Sequence, residues 1–184
     1  MISIVTNNDN AYLRTKNIAK LLKGRSVDEI LGVADSIPVI RDAEYVISEL
    51  KNRGYICGII SDSYDVVTNH VKNKLSMDFS IANELEFSRS VATGEVKVPS
   101  LFVRTPRSRC NHDFCKSNAM QQLSEQYSID LKDIIAVGDS ENDICMVRDS
   151  GTGVAFRSNS KYLNLVASKS IEEKSFLGLL DIAK

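Results

Sequence analysis

The sequence predicts an α/β protein built on parallel strands, and three observations carry that prediction. Short apolar runs alternate with helix-periodic segments along the chain. Tyr55 to Ile60 is a nearly continuous apolar run, the pattern of a strand covered on both faces. Ile134 to Val137 is another, and it runs straight into Gly138-Asp139. With 184 residues, 43% hydrophobic and 26% charged, the composition suits a single domain over residues 1–184 with its own core.

Taken in order, Ile2 to Val5 is a short strand candidate. Residues 11–23 read as a helix with Ile18, Leu21 and Leu22 on one face, closed by Gly24. Ser26 and Glu29 form a capping box that opens a second short helix to about Asp35, and Pro38 breaks the chain. Ala43, Val46, Ile47 and Leu50 follow helical spacing up to Gly54. The strand at Tyr55 to Ile60 ends at Ser61, and a helix follows with Tyr64, Val67, Val71 and Leu75 on one side. Phe79 to Ala82 is a further strand. Residues 84–98 suggest a small β-hairpin turning near Thr93-Gly94. A helix is expected over 113–127, a strand over 134–137, a helix from Glu141, a strand at 154–156 and a helical tail from Ile171.

A net charge of -1 gives no field for nucleic acid or an anionic membrane. Arg104, Arg107 and Arg109 are a local exception, read as a solvated loop or, more sharply, as a phosphate-guiding loop. No apolar run approaches the ~20 residues of a membrane span. The N-terminus lacks a basic region and a long apolar stretch, so a cytoplasmic protein is expected. Cys57 and Cys145 lie among apolar residues and read as buried thiols in a reducing compartment. Cys110, His112 and Cys115 hint at zinc. A structural zinc site needs four ligands, however, and no fourth stands nearby in the sequence, so a chance cluster or an adventitious disulfide is the preferred reading.

The chemistry concentrates at Gly138-Asp139-Ser140-Glu141-Asn142-Asp143. An apolar strand there delivers Asp139 and Asp143 to its C-terminal tip, where ligands bind in open α/β sheets. Two acids suit Mg²⁺, a hard cation that takes oxygen ligands. They also suit a plain helix N-terminus. Ser61 stands at another strand tip, where a hydroxyl and helix-opening N–H groups hold phosphate or simply cap a helix. Lys116 begins a helix between the two.

Taken together, Ser61, Lys116 and the Gly138-to-Asp143 segment resemble the haloacid dehalogenase (HAD) superfamily, in its phosphoserine phosphatase-like branch. Glu49-Leu50-Lys51-Asn52-Arg53-Gly54-Tyr55 leading to Ile59-Ile60-Ser61 looks like the second motif of that branch. Ala82-Asn83-Glu84-Leu85 looks like its A-N-x-L stretch, Lys116 its third motif, and Gly138 to Asp143 its fourth. The likeness extends roughly from Gly24 to Leu180, and Leu21-Leu22-Lys23-Gly24 is similar to the end of the family's helical cap. The resemblance implies a Rossmannoid parallel sheet with helices on both faces and a cap reduced to residues 10–37. It implies a Mg²⁺-dependent phosphomonoester hydrolase acting on a small phosphorylated metabolite. Asp139 would ligate Mg²⁺. Asp143 would serve the metal site or pair with Lys116. Ser61, Asn142 and Lys116 would hold the phosphoryl group, and Lys116 would neutralise the transition state.

The chain departs from the resemblance at the first motif, a strand followed by Asp-x-Asp-x-Thr. The one imitation is Asn7-Asn8-Asp9-Asn10-Ala11 after Ile2 to Val5. In that register Asn7 replaces the nucleophile, while Asp9 keeps the acid/base position near the metal. An amide is a poor nucleophile, and losing a catalytic nucleophile costs on the order of 10⁶ in kcat. Three readings follow: an impaired phosphatase, a non-catalytic module that binds a phospho-ligand, or one part of a split enzyme. Ile2 to Val5 is expected to be the central strand; otherwise a homodimer or a partner chain would complete the sheet.

Overall fold

A computed structural model describes residues 8–183, with side chains from Tyr12 onward. Ile2 to Val5 and Asn7, the expected central strand and degenerate nucleophile position, lie outside the described residues. The chain divides into two compact units, residues 1–38 with 58–100 and residues 39–57 with 101–184.

The first unit contains α1 (Asn8–Leu21), α2 (Val27–Ser36), β1 (Gly58–Tyr64), α4 (Asp65–Lys74), β2 (Phe79–Ser88) and β3 (Val91–Lys97). Strand β1 pairs parallel with β2 through the α4 crossover, and β2 pairs antiparallel with β3. Gly24, at φ +85°, ends the first helical segment, and its N–H donates to Ala92 O at 2.9 Å. The capping box at the start of α2 forms as expected. Glu29 N–H donates to Ser26 Oγ at 3.1 Å, and the Ser26 N–H donates to the Glu29 carboxylate at 2.8 Å. Ser26→Ala should cost about 1 kcal/mol in urea unfolding; no measurable loss would show that α2 does not depend on this cap. Ala19, Ile30, Tyr64, Leu85 and Ala92 form the core that joins helices to sheet. Tyr64 ties into it by donating its hydroxyl to Thr15 O at 2.7 Å.

The hairpin is present, but it turns at Arg89-Ser90 rather than at Thr93-Gly94. Both turn residues have positive φ, 50° and 63°, the backbone that a two-residue hairpin loop requires. Gly94 lies inside β3, where Leu85 pairs with Val96 and Phe87 with Ala92, so the ladder shifts register around it. Its φ is +87°, and a Cβ there would sit 3.1 Å from Lys23 Cβ. The glycine that reads as a turn is a bulge that lets the first helix approach the strand.

The second unit contains α3 (Ala43–Asn52), α5 (Lys116–Tyr127), β4 (Ile135–Gly138), α6 (Ile144–Asp149), β5 (Thr152–Phe156), α7 (Lys161–Val166), β6 (Lys169–Ile171) and α8 (Gly178–Ile182). The three strands are parallel in the order β4-β5-β6. Ala43, Val46, Ile47 and Leu50 are the buried face of α3, as their spacing predicts. Arg53 follows it and donates to Leu180 O at 2.7 Å and Ala183 O at 2.8 Å, closing the end of α8. Helix α7 and strand β6 are additional to the sequence reading. Each unit is thus α/β with parallel strands. Among the described residues no helix is long and apolar enough to cross a membrane.

Candidate active site

Strand β4 is short because Gly138 ends it, and the chain then turns through Asp139 and Ser140 into a 3₁₀ turn at Glu141–Asp143 that leads into α6. Ser140 and Asp143 make a second capping box. One Asp143 oxygen, Oδ2, accepts from the N–H of Asp139 at 3.0 Å, the N–H of Ser140 at 3.2 Å and the hydroxyl of Ser140 at 3.3 Å. The other, Oδ1, accepts from Lys116 Nζ at 2.8 Å. The side chains of Lys116 and Asp143 are only 11% and 6% exposed, so this is a desolvated ion pair. Burial pushes the Asp143 carboxyl up. The Lys116 charge and hydrogen bond, with the two N–H groups, outweigh burial and hold it below the ordinary carboxylate range.

Gly138 makes this packing feasible. A Cβ at that position would lie 2.3 Å from Asp143 Cβ and 2.9 Å from its Cγ. Helix α5 delivers Lys116 in its first turn and is anchored there. Ser117 Oγ donates to Asp149 Oδ2 at 2.6 Å, and Asn118 Nδ2 donates to Phe102 O at 2.9 Å. These two buried residues carry no signal in the sequence reading; polar side chains in the first turn beside Lys116 were the available hint.

Asp139 is exposed at the strand tip, and its carboxylate has no hydrogen bond or ion pair among the described residues. An exposed carboxylate at a strand end is the donor type Mg²⁺ takes, commonly with phosphate oxygens and water completing its shell. Asp143 has both oxygens engaged by protein donors, so its geometry serves Lys116. Asn142 is half-buried in the same turn. Lys116, Asp139, Asn142 and Asp143 therefore belong to one structural unit.

Ser61 and Asp9 belong to the other unit. Strand β1 does not end at Ser61 but runs on to Tyr64. Its ladder breaks after the Ile60–Ile81 pair and resumes at Tyr64–Asn83, so Ser61 stands at the break. Helix α4 starts at Asp65, and Ser61 does not cap it. Its hydroxyl instead accepts from Ser63 N–H at 3.1 Å. Asn83 of the A-N-x-L stretch is buried and donates its amide to Asp62 O at 2.8 Å, fixing the segment after Ser61. Asp9 falls in the first turn of α1. The arginine loop is solvated: Arg107 is 77% exposed and pairs with Glu125 at 3.4 Å.

The chain is similar to known proteins of one family. A family model described as haloacid dehalogenase-like hydrolase matches residues 110–182. The phosphoserine phosphatase of Methanocaldococcus jannaschii is 32% identical over 136 residues, covering 74% of this chain and 60% of that protein. The phosphoserine phosphatase of Archaeoglobus fulgidus is 27% identical over 165 residues, covering 90% of this chain and 45% of that protein. A solved phospho-aspartyl intermediate analogue of phosphoserine phosphatase superimposes with a TM-score of 0.79 at 28% identity, over 95% of this chain and 78% of that one. The chain thus spans less than two thirds of the length of these curated relatives. It belongs to the haloacid dehalogenase-like hydrolases, in their phosphoserine phosphatase-like branch.

Proposed function

We propose that this chain is a phosphatase-like protein that binds a small phosphorylated metabolite with Mg²⁺ in the cytoplasm and hydrolyses it poorly. The observation that carries the reading is the buried Lys116–Asp143 pair at 2.8 Å beside an exposed Asp139 carboxylate. Asp143 fixes the Lys116 ammonium at one point, so its charge is preorganised to balance phosphoryl oxygens. Asp139 would hold Mg²⁺, which when bound supplies charge neutralisation for the phosphate. Asn142 and the Ser61 hydroxyl would contact phosphoryl oxygens, and Asp9 would move the proton. Four free thiols support a reducing compartment. The sequence register that sets Asn7 against the family's nucleophile, with no Asp-x-Asp-x-Thr in this sequence, is the reason for proposing poor hydrolysis.

Calorimetry with phosphoserine and phosphate, with and without Mg²⁺, tests the site. Turnover of p-nitrophenyl phosphate tests the chemistry. Expected are Mg²⁺-dependent binding that Asp139→Ala weakens by roughly ten-fold or more, and turnover close to that of the Asp139→Ala control. Absence of both Mg²⁺-dependent binding and turnover would sink the reading. Rapid turnover that Asp139→Ala abolishes would keep the site and overturn the impairment.

A split enzyme is the second reading. Among the described residues β1 and β4 are each the outer strand of their sheet, and an open edge recruits another strand. An aspartate-bearing strand from a partner chain would pair with such an edge. Activity that appears only on adding such a chain would favour this reading.

A further inference from the structure

The sequence reading discounted zinc for want of a fourth ligand, and the fold supplies one. Cys145, in the first turn of α6, joins Cys110, His112 and Cys115, and all four ligand atoms lie within 4.8 Å of one another. The three cysteines are buried together, and His112 closes the group from the solvent side. His112 Nδ1 is 3.4 Å from Cys145 Sγ. Bonds of about 2.3 Å to sulfur and 2.0 Å to nitrogen in a tetrahedron put ligand atoms roughly 3.5–3.8 Å apart, so the group needs only a small contraction to close on an ion. Three of the four cysteines and one of the two histidines in the chain meet here. Packing of small apolar side chains accounts for buried thiols, but it does not draw an imidazole nitrogen to their sulfurs.

We propose that Cys110, His112, Cys115 and Cys145 form a tetrahedral site for Zn²⁺. Three thiolates and an imidazole are a borderline-soft donor set that suits zinc and leaves Mg²⁺ without oxygen ligands. With four protein ligands no position remains open for water or substrate, so the ion is structural. Its place in the fold gives it a task. Cys110 and His112 lie in the loop that leaves and rejoins the body at the Val103–Phe114 bridge. Cys115 immediately precedes α5 and Lys116, and Cys145 follows Asp143 by two residues. One ion would therefore clamp the loop and the two elements that carry the Lys116–Asp143 pair.

The test measures metal in the full chain purified without chelator, then titrates apo protein with Co²⁺. About one equivalent of zinc is expected, and a Co²⁺ spectrum with thiolate charge-transfer and tetrahedral bands. Cys145→Ser and the exposed His112→Ala should each retain roughly a tenth of the zinc or less, whereas Cys57→Ser, buried outside the cluster, should retain all of it. His112→Ala keeps the test valid should Cys145→Ser fail to fold. Protein without zinc whose Co²⁺ spectrum lacks thiolate bands would overturn the site, as would iron in place of zinc. Loss of two thiols to a disulfide in freshly purified protein would overturn it too. These readouts need no phosphatase activity, so they stand or fall separately from the proposed function.

Discussion

Asp143→Ala should destabilise the protein by about 3–5 kcal/mol in urea unfolding at neutral pH, because it removes one half of a buried ion pair and the acceptor shared by the Lys116 ammonium, the Asp139 and Ser140 N–H groups and the Ser140 hydroxyl. Lys116 is 11% exposed on its side chain and lies 2.8 Å from the carboxylate it would lose. Lys116→Met should cost less. It leaves the Asp143 carboxylate with donors from the Asp139 N–H, the Ser140 N–H and the Ser140 hydroxyl, so that charge is not orphaned. The asymmetry between the two partners is the discriminating result. Equal losses, or a loss under about 1 kcal/mol for Asp143→Ala, would mean that the pair is solvated in solution. Acid gives a second view of the same group. The folded protein holds the Asp143 carboxyl below its ordinary value of 3.8. Its contribution is therefore complete above that value and is lost as pH falls toward the depressed one. Asp143→Asn should flatten this acid limb of the stability profile while leaving the rest of its shape unchanged.

What was legible in the sequence was local. The α3 stripe from Ala43 to Leu50, the Ser26–Glu29 box and the Gly138-to-Asp143 tip each depend on residues within one or two turns of one another, and each forms as its pattern demands. The misses are matters of tertiary distance or of unusual backbone. Cys145 completes a ligand cluster that a scan of neighbouring residues cannot close, because β4 and α5 separate it from Cys115 along the chain. The hairpin turn was misplaced because Arg89 and Ser90 adopt positive φ without glycine, while Gly94 takes positive φ inside a strand. Strand β6 is three residues long, with no alternation to read. Asp143 was legible as an acid at a strand tip. That both its oxygens are spent on protein donors depends on how the turn folds back, and no spacing rule carries that.

That turn makes Gly138→Ala the other change with a large expected effect. The new Cβ would stand 2.3 Å from Asp143 Cβ and 2.9 Å from Cγ. These are the root of the side chain and not its free end, so rotation of Asp143 cannot relieve the clash and the backbone of the turn must move. Movement breaks the hydrogen bonds from Asp139 and Ser140 and draws the carboxylate off Lys116. A loss of about 2–4 kcal/mol is expected from overpacking with a disrupted ion pair, together with weaker Mg²⁺-dependent phosphate binding. Coupling separates this mechanism from a general intolerance of β4 for side chains. In an Asp143→Gly background the obstructing atoms are gone, and the same alanine should then cost less than about 1 kcal/mol. If Gly138→Ala is equally damaging in both backgrounds, the contact with Asp143 is not what keeps position 138 a glycine, and the tight turn loses its claim to organise the site.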